Sequence, residues 1–95
     1  MENEHNIFIG SKPESSYVLA LVTQFSQGAN SVVVKARGNM ISQAVYVVES
    51  FRSRFDSKVN LSIKIGSEQL TRNDGRLSNV PFIEITISKE DTQTH

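Results

Sequence analysis

Between Val32 and Phe55 the chain passes from a continuous valine run into an amphipathic helical pattern, with only Ala36-Arg37-Gly38 between them. An unbroken run such as Val32-Val33-Val34 is typical of a strand buried on both faces. So short a junction leaves no room for a wandering loop, so strand and helix must be consecutive parts of one α/β unit. The first turn of a helix has backbone N–H groups without intrahelical partners and carries the positive end of the helix dipole. Such a junction therefore suits an anion. Lys35 and Arg37 lie beside it, with Gly38 at the turn, where a phosphate would need them.

The remaining pattern supplies the other elements. Asn6 to Ile9 is a short β-branched and aromatic run, read as a first strand, and Gly10-Ser11-Lys12-Pro13 follows as a tight loop. Pro13 and Glu14 suit a helix start, and Tyr17, Val18, Leu21, Val22 and Phe25 recur on one helical face. Gly28 reads as the residue just past that helix. Val59, Leu61, Ile63 and Ile65 alternate with polar residues as a half-buried strand, with Gly66 as a bend or bulge. Ile83, Ile85 and Ile87 repeat the alternation, and Thr71 to Arg76 between them contains the Asp-Gly pair favoured in hairpins. The order is β-α-β-α-β-β. It implies an α/β two-layer sandwich, a mixed four-stranded sheet with two helices on one face and the other face free to stay wet.

The second helix is expected from about Met40 to Phe55. Its apolar positions sweep an arc of about 160°, against the roughly 100° that one packing face requires. The extra width predicts two burial surfaces, one against the sheet and one against a second subunit. Val47, Phe51 and Phe55 are the expected homodimer interface.

Composition sets the outer bounds. Ninety-five residues support one modest core. A single domain is expected over 6–89, with flexible tails at 1–5 and 90–95, where the sequence is polar and aperiodic. Cysteine is absent, which removes disulfides and the usual thiolate ligands of zinc. No apolar run reaches the roughly 20 residues of a membrane span, and the N-terminus does not read as a signal peptide, so a cytoplasmic protein is expected. Net charge is zero, but Asn6 to Ser88 holds nine Lys/Arg against six Asp/Glu, so the body carries +3. The thirteen serines, seven asparagines and five glutamines imply a surface kept soluble by neutral polar groups.

Lys35 to Phe55 resembles the signature of the Alba family of archaeal chromatin proteins, whose usual form is K-A-R-G-[RK]-x-I-S-K-A-V-[DE]-x-x-E. Ile9-Gly10-Ser11-Lys12-Pro13 is similar to the family's I-G-K-K-P loop, and Tyr17-Val18-Leu19-Ala20 follows it as in the family. Gln27-Gly28, Ile65-Gly66-Ser67 and Asp74-Gly75-Arg76 match further family segments in order. The resemblance implies the fold just described and a homodimer that contacts the phosphate backbone of double-stranded DNA, and RNA as well, with little sequence specificity. It also implies a chromosome-associated protein with a role in chromosome condensation, and association of dimers along DNA. Carried over position by position, the contacts fall on Lys12, Arg37, Gly38 and Arg76, supported by Lys35 and Arg54. Four positions that are basic in the family are neutral here: Ser11, Asn39, Gln43 and Asn79. The first loop lysine is acetylated in some members to weaken DNA binding, and Ser11 cannot be a target for that.

Each basic residue also has a structural reading. Arg37 can cap carbonyls or pair with Glu49, Lys12 can be a solvated lysine, and Arg72 and Arg76 can serve only solubility. Arg52 and Arg54 fall on opposite flanks of the helix. Phe51 and Phe55 fit a core or a subunit contact better than a base-stacking platform, and Phe82 fits either exposure or edge packing. Catalysis finds little support: His5 and His95 lie in the expected tails, and no Ser-His pair, carboxylate pair or Walker loop sits on a rigid element. No cofactor or metal is expected. Two functions remain, an architectural nucleic-acid-binding protein and an Alba-fold interaction subunit with weak or lost nucleic-acid binding.

Overall fold

A computed structural model describes residues 5–89. The elements run β1 (Asn6–Phe8), α1 (Glu14–Ser26), β2 (Ser31–Arg37), a single 3-10 turn (Gly38–Met40), α2 (Ile41–Arg54), β3 (Asn60–Thr71) and β4 (Leu77–Ser88). The strands lie in the order β1-β2-β4-β3. β1 is parallel to β2, while β4 runs antiparallel to both β2 and β3. This is the mixed four-stranded sheet and the α/β two-layer sandwich that the periodicities imply.

One core holds the layers together. Ile7 of β1, Val32, Val34 and Ala36 of β2, and Ile83, Ile85 and Ile87 of β4 turn to the same face. They meet Tyr17, Val18 and Leu21 from α1 and Ala44, Val47, Val48 and Phe51 from α2. α1 lies over β1 and β2, and α2 over β2 and β4. β2 is buried on that face only, since Ser31, Val33 and Lys35 on its other side are half-buried. The valine run expected to be covered on both faces is covered on one, because both crossovers place their helices on the same side.

That arrangement corrects the expected dimer interface. Val47 has no exposed surface and Phe51 almost none, both being enclosed by this chain's own sheet and α1. The large apolar side chains that α2 leaves exposed are Val45, Tyr46 and, just past its end, Phe55. The wide apolar arc is present, but the monomer core occupies most of it, Val47 at one margin included, and leaves Val45 at the other margin free. Ile63 and Ile65 of β3 are likewise exposed, at 60% and 74%, although the alternation makes them core residues. They face the helix side, opposite Ile85 and Ile83, but β3 lies beyond the reach of α2.

β3 and β4 outrun the rest of the sheet. The β2 ladder ends at Arg37↔Phe82, whereas β3 and β4 stay paired from Ser67↔Pro81 to Thr71↔Leu77. This two-stranded arm gives the molecule a longest dimension of 54 Å. Gly66 makes no bulge; it pairs in register with Phe82, whose ring crosses it so closely that a Cβ there would stand 2.7 Å from the ring's Cζ. Pairing also begins earlier than expected, since the His5 carbonyl accepts a 2.8 Å hydrogen bond from the Val33 N–H. Positions 1–4 and 90–95, expected as tails, lie outside the described residues.

Candidate nucleic-acid interface

Parallel pairing brings two strand-to-helix junctions together. Phe8 lies opposite Lys35, and the Ile9 N–H donates to the Lys35 carbonyl at 2.9 Å. Both strands then turn into helices at the same edge of the sheet, so the loop carrying Lys12 and the turn at Arg37-Gly38 are neighbours. The hairpin arm leaves from this edge too, because β4 passes Arg37 at Phe82 and continues outward. Lys12, Arg37, Gly38 and the arm bearing Arg76 therefore share one end of the molecule.

The junctions are held by specific contacts. Tyr17 is buried, and its Oη accepts hydrogen bonds from the Gly10 N–H at 2.8 Å and the Lys12 N–H at 3.0 Å. A core side chain thus fixes the backbone of the Lys12 loop while Lys12 itself stays exposed. Gly38 adopts φ +57°, a left-handed value costly for any residue with a Cβ, and a Cβ there would stand 3.6 Å from Val80 Cγ1 on the arm. The first turn of α2 carries no acidic residue, and no side chain caps the 3-10 turn or the helix. This helix start keeps its positive end uncompensated, as the sequence implies.

The charged side chains are not all free. Arg37 Nε stands 3.2 Å from Glu68 Oε2, on β3. The Glu49 partner considered from the sequence is instead paired with Arg52, at 2.6 Å. Arg76 Nε lies 3.6 Å from Asp74 Oδ2 within the hairpin turn, where Gly75 takes φ +85° and the Arg76 N–H donates to Asp74 Oδ1 at 3.0 Å. These pairs are exposed, and such pairs contribute at most about 1 kcal/mol. Lys35 projects from the helix-free sheet face with its Nζ 5.6 Å from the centre of the Phe8 ring. Arg54 is not part of the cluster. It closes α2 at the end opposite Gly38, about 20 Å away along a helix of fourteen residues.

Two contributors to this end of the molecule escaped the sequence reading, Tyr17 and Glu68. Tyr17 reads as an ordinary core position, and only its distance from the Gly10–Lys12 loop hints at the polar clasp. Glu68 reaches Arg37 across β4, a contact visible only once the register of three strands is known. Phe8 and Phe82 both lie on the open sheet face. Among the described residues, no cluster of His, Asp or Glu suits a metal ion, and no helix is long and apolar enough to cross a membrane.

A small α/β sandwich that gathers two cation-bearing strand-to-helix junctions and a projecting hairpin at one end belongs to a recognisable class of compact binding domains. The Alba family model matches residues 5–67 of the chain. The protein is 47% identical over 88 residues to the DNA/RNA-binding protein Alba 1 of Archaeoglobus fulgidus, a match covering 92% of this chain and 98% of that one. It is 48% identical over 91 residues to the DNA/RNA-binding protein Alba of Thermoplasma acidophilum, covering 94% and 100% of the two chains. The solved structure of Alba from Thermoplasma volcanium superposes with a TM-score of 0.84 at 45% identity, over 90% of this chain and 100% of that one. The chain belongs to the Alba family.

Proposed function

We propose that this protein is an architectural nucleic-acid-binding protein, a homodimer that grips the phosphate backbone of duplex DNA, and of duplex RNA, with little base specificity. The observation that carries this reading is the gathering of Lys12, the Arg37-Gly38 helix start and the Arg76 arm at one end of the sheet. Backbone N–H groups, a helix start and exposed cations recognise phosphate without reading sequence. A thin two-stranded arm is narrow enough to follow a groove. The relatives named as DNA/RNA-binding proteins support the same reading. Lys35 extends the phosphate track onto the sheet, while Arg54 contributes from the far end of α2 only if the duplex is long enough to reach it. The site is one of binding rather than catalysis, and it needs no cofactor.

The dimer would form through the apolar surface that one chain leaves open, Val45 and Tyr46 on α2 with Ile63 and Ile65 on β3. Phe55 is the member of the expected interface trio that is still available. Pairing two copies doubles the number of cationic ends and lets one duplex touch both. Such a protein would be cytoplasmic and chromosome-associated, with further dimers able to add along the same duplex.

Fluorescence anisotropy with a 20-base-pair DNA and the matching RNA duplex, over a series of salt concentrations, tests the reading. Three phosphate contacts per subunit predict a slope of log K against log salt of roughly −5 for the dimer. The absence of binding at micromolar dimer in low salt would overturn it. One pair of observations favours the second reading, an interaction subunit with weak nucleic-acid affinity: Glu68 and Asp74 stand beside two of the candidate phosphate ligands. That reading predicts weak binding or none, and no gain when Glu68 is neutralised.

A further inference from the structure

Both helices lie on one side of the sheet, so its other face is bare, and its side chains are unlike those of an inert wet surface. Register places Phe8, Lys35, Glu84 and Lys64 in one row across the four strands, with Arg37, Phe82 and Gly66 in the next. Phe8 is 67% exposed. The Phe82 ring is seated on Gly66, the one residue type that lets an aromatic ring lie that close to the strand. Between the two rings runs a cleft of about 520 Å³, floored by β2 and bordered by Lys35, Arg37, Glu68 and Glu84. That volume lies within the range of small-molecule sites and fits a nucleobase with its sugar.

We propose that this open face is a second binding surface, for single-stranded nucleic acid, with bases stacked on Phe8 and Phe82. The idea rests on the nucleic-acid reading above but uses a different form of the ligand and a face that meets the duplex site only at Lys35 and Arg37. Aromatic rings on an exposed sheet accept unpaired bases, whereas a duplex keeps its bases inside the stack. From the strand spacing and the two-residue offset, the Cα positions of Phe8 and Phe82 are about 12 Å apart. Successive bases in a stacked helix are only about 3.4 Å apart, so two rings at this spacing favour an extended, unstacked strand.

The charges fit the same ligand. Lys35 and Lys64 flank Glu84 within the first row, and among the described residues neither forms an ion pair. The Lys35 ammonium rests against the Phe8 ring, 5.6 Å from its centre. A base arriving on Phe8 displaces that ammonium toward the phosphate the base carries with it. Glu84, between the two lysines, also makes no ion pair among the described residues. A carboxylate beside a base-stacking ring accepts a hydrogen bond from an exocyclic amino group, as on cytosine. Uracil offers no such donor, so the face should prefer C-rich strands to U-rich ones.

The test is anisotropy with labelled rC8 and rU8 octanucleotides alongside the 20-base-pair duplex. We expect Phe8→Ala to weaken rC8 binding about tenfold and leave duplex binding within twofold of wild type. The double variant Phe8→Leu/Phe82→Leu, which keeps apolar bulk at both positions, should lose single-strand binding to the same degree. Lys64→Ala should weaken only the single strand, and Glu84→Ala should remove the preference for rC8 over rU8. Amide shifts on adding rC8 should centre on Phe8, Lys35 and Glu84, and on adding duplex they should centre on Lys12 and Gly38. Duplex binding without rC8 binding, or rC8 binding that survives the double leucine variant in a folded protein, overturns this inference and leaves the duplex reading intact. Failure of the wild type to bind either ligand overturns both.

Discussion

β3 and β4 are neighbouring strands with the same alternation and nearly the same isoleucine content, yet they meet different fates. Ile83, Ile85 and Ile87 on β4 are at most 8% exposed. Opposite them, Ile65 and Ile63 on β3 stand mostly in solvent and Leu61 is half-buried. The side chains point the same way; the difference is that α2 passes over β4 and stops short of β3. Alternation decides which face a side chain occupies, while cover decides whether the hydrophobic effect acts on it. An apolar row that faces the covered side without being covered is the surface that the proposed dimer would bury.

The largest expected effect lies under the helices. Ile87→Ala should cost about 2–5 kcal/mol in urea unfolding, because a fully buried side chain leaves a cavity. Ile65→Ala, measured at a concentration where the protein is monomeric, should cost less than about 1 kcal/mol. Equal losses at the two positions would break the comparison between the strands. Next in size is Ile63→Asp/Ile65→Asp, which should weaken the dimer at least a hundredfold, about 2.8 kcal/mol, by forcing carboxylates into an apolar contact. Sedimentation should then find a folded species near 10.6 kDa in place of one twice as heavy. A dimer that survives the change would place the interface elsewhere.

Smaller effects are expected at the charged end, where junction and arm can be set against each other. Ser11→Lys/Asn39→Arg adds cations at both junctions, where the native residues are exposed. Across the four new charges of a dimer, duplex affinity should rise about 30-fold at low salt, roughly 2 kcal/mol. No gain would mean that the phosphate track runs elsewhere. The smallest effect is Glu68→Gln, which releases Arg37 from its carboxylate. A two- to threefold tighter duplex complex is expected, in line with an exposed ion pair worth about 0.5 kcal/mol, and weaker binding would show that Glu68 positions Arg37 rather than competing for it.

Most of the candidate site was legible before the fold was known, for local reasons. The strand–glycine–helix junction, the Gly10–Pro13 loop and the Asp74-Gly75 turn are set by short-range sterics, and their residues stand where the pattern places them. Arg54 stands apart from the other cations because helical phase says which flank a residue occupies but not which end of the helix meets the cluster. Val47 and Phe51 lie in the monomer core for a related reason. A broad apolar arc shows that more than one surface is buried, and only the packing shows which residues serve the chain itself. Glu68 was invisible because its contact with Arg37 joins β3 to β2 across β4.

The sequence alone determined the element order, the sidedness of β3 and β4 and the positive helix start at Arg37-Gly38, since periodicity, glycine sterics and helix ends act over a few residues. Tertiary structure alone decided that both junctions and the hairpin meet at one edge, that Tyr17 clasps the Lys12 loop, that Arg37 is shared with Glu68 and that β3 is left uncovered. Each of these depends on strand order and on the lateral reach of a helix, which are settled when the core closes. Those distances run across the sheet rather than along the chain, so no local pattern of residues encodes them.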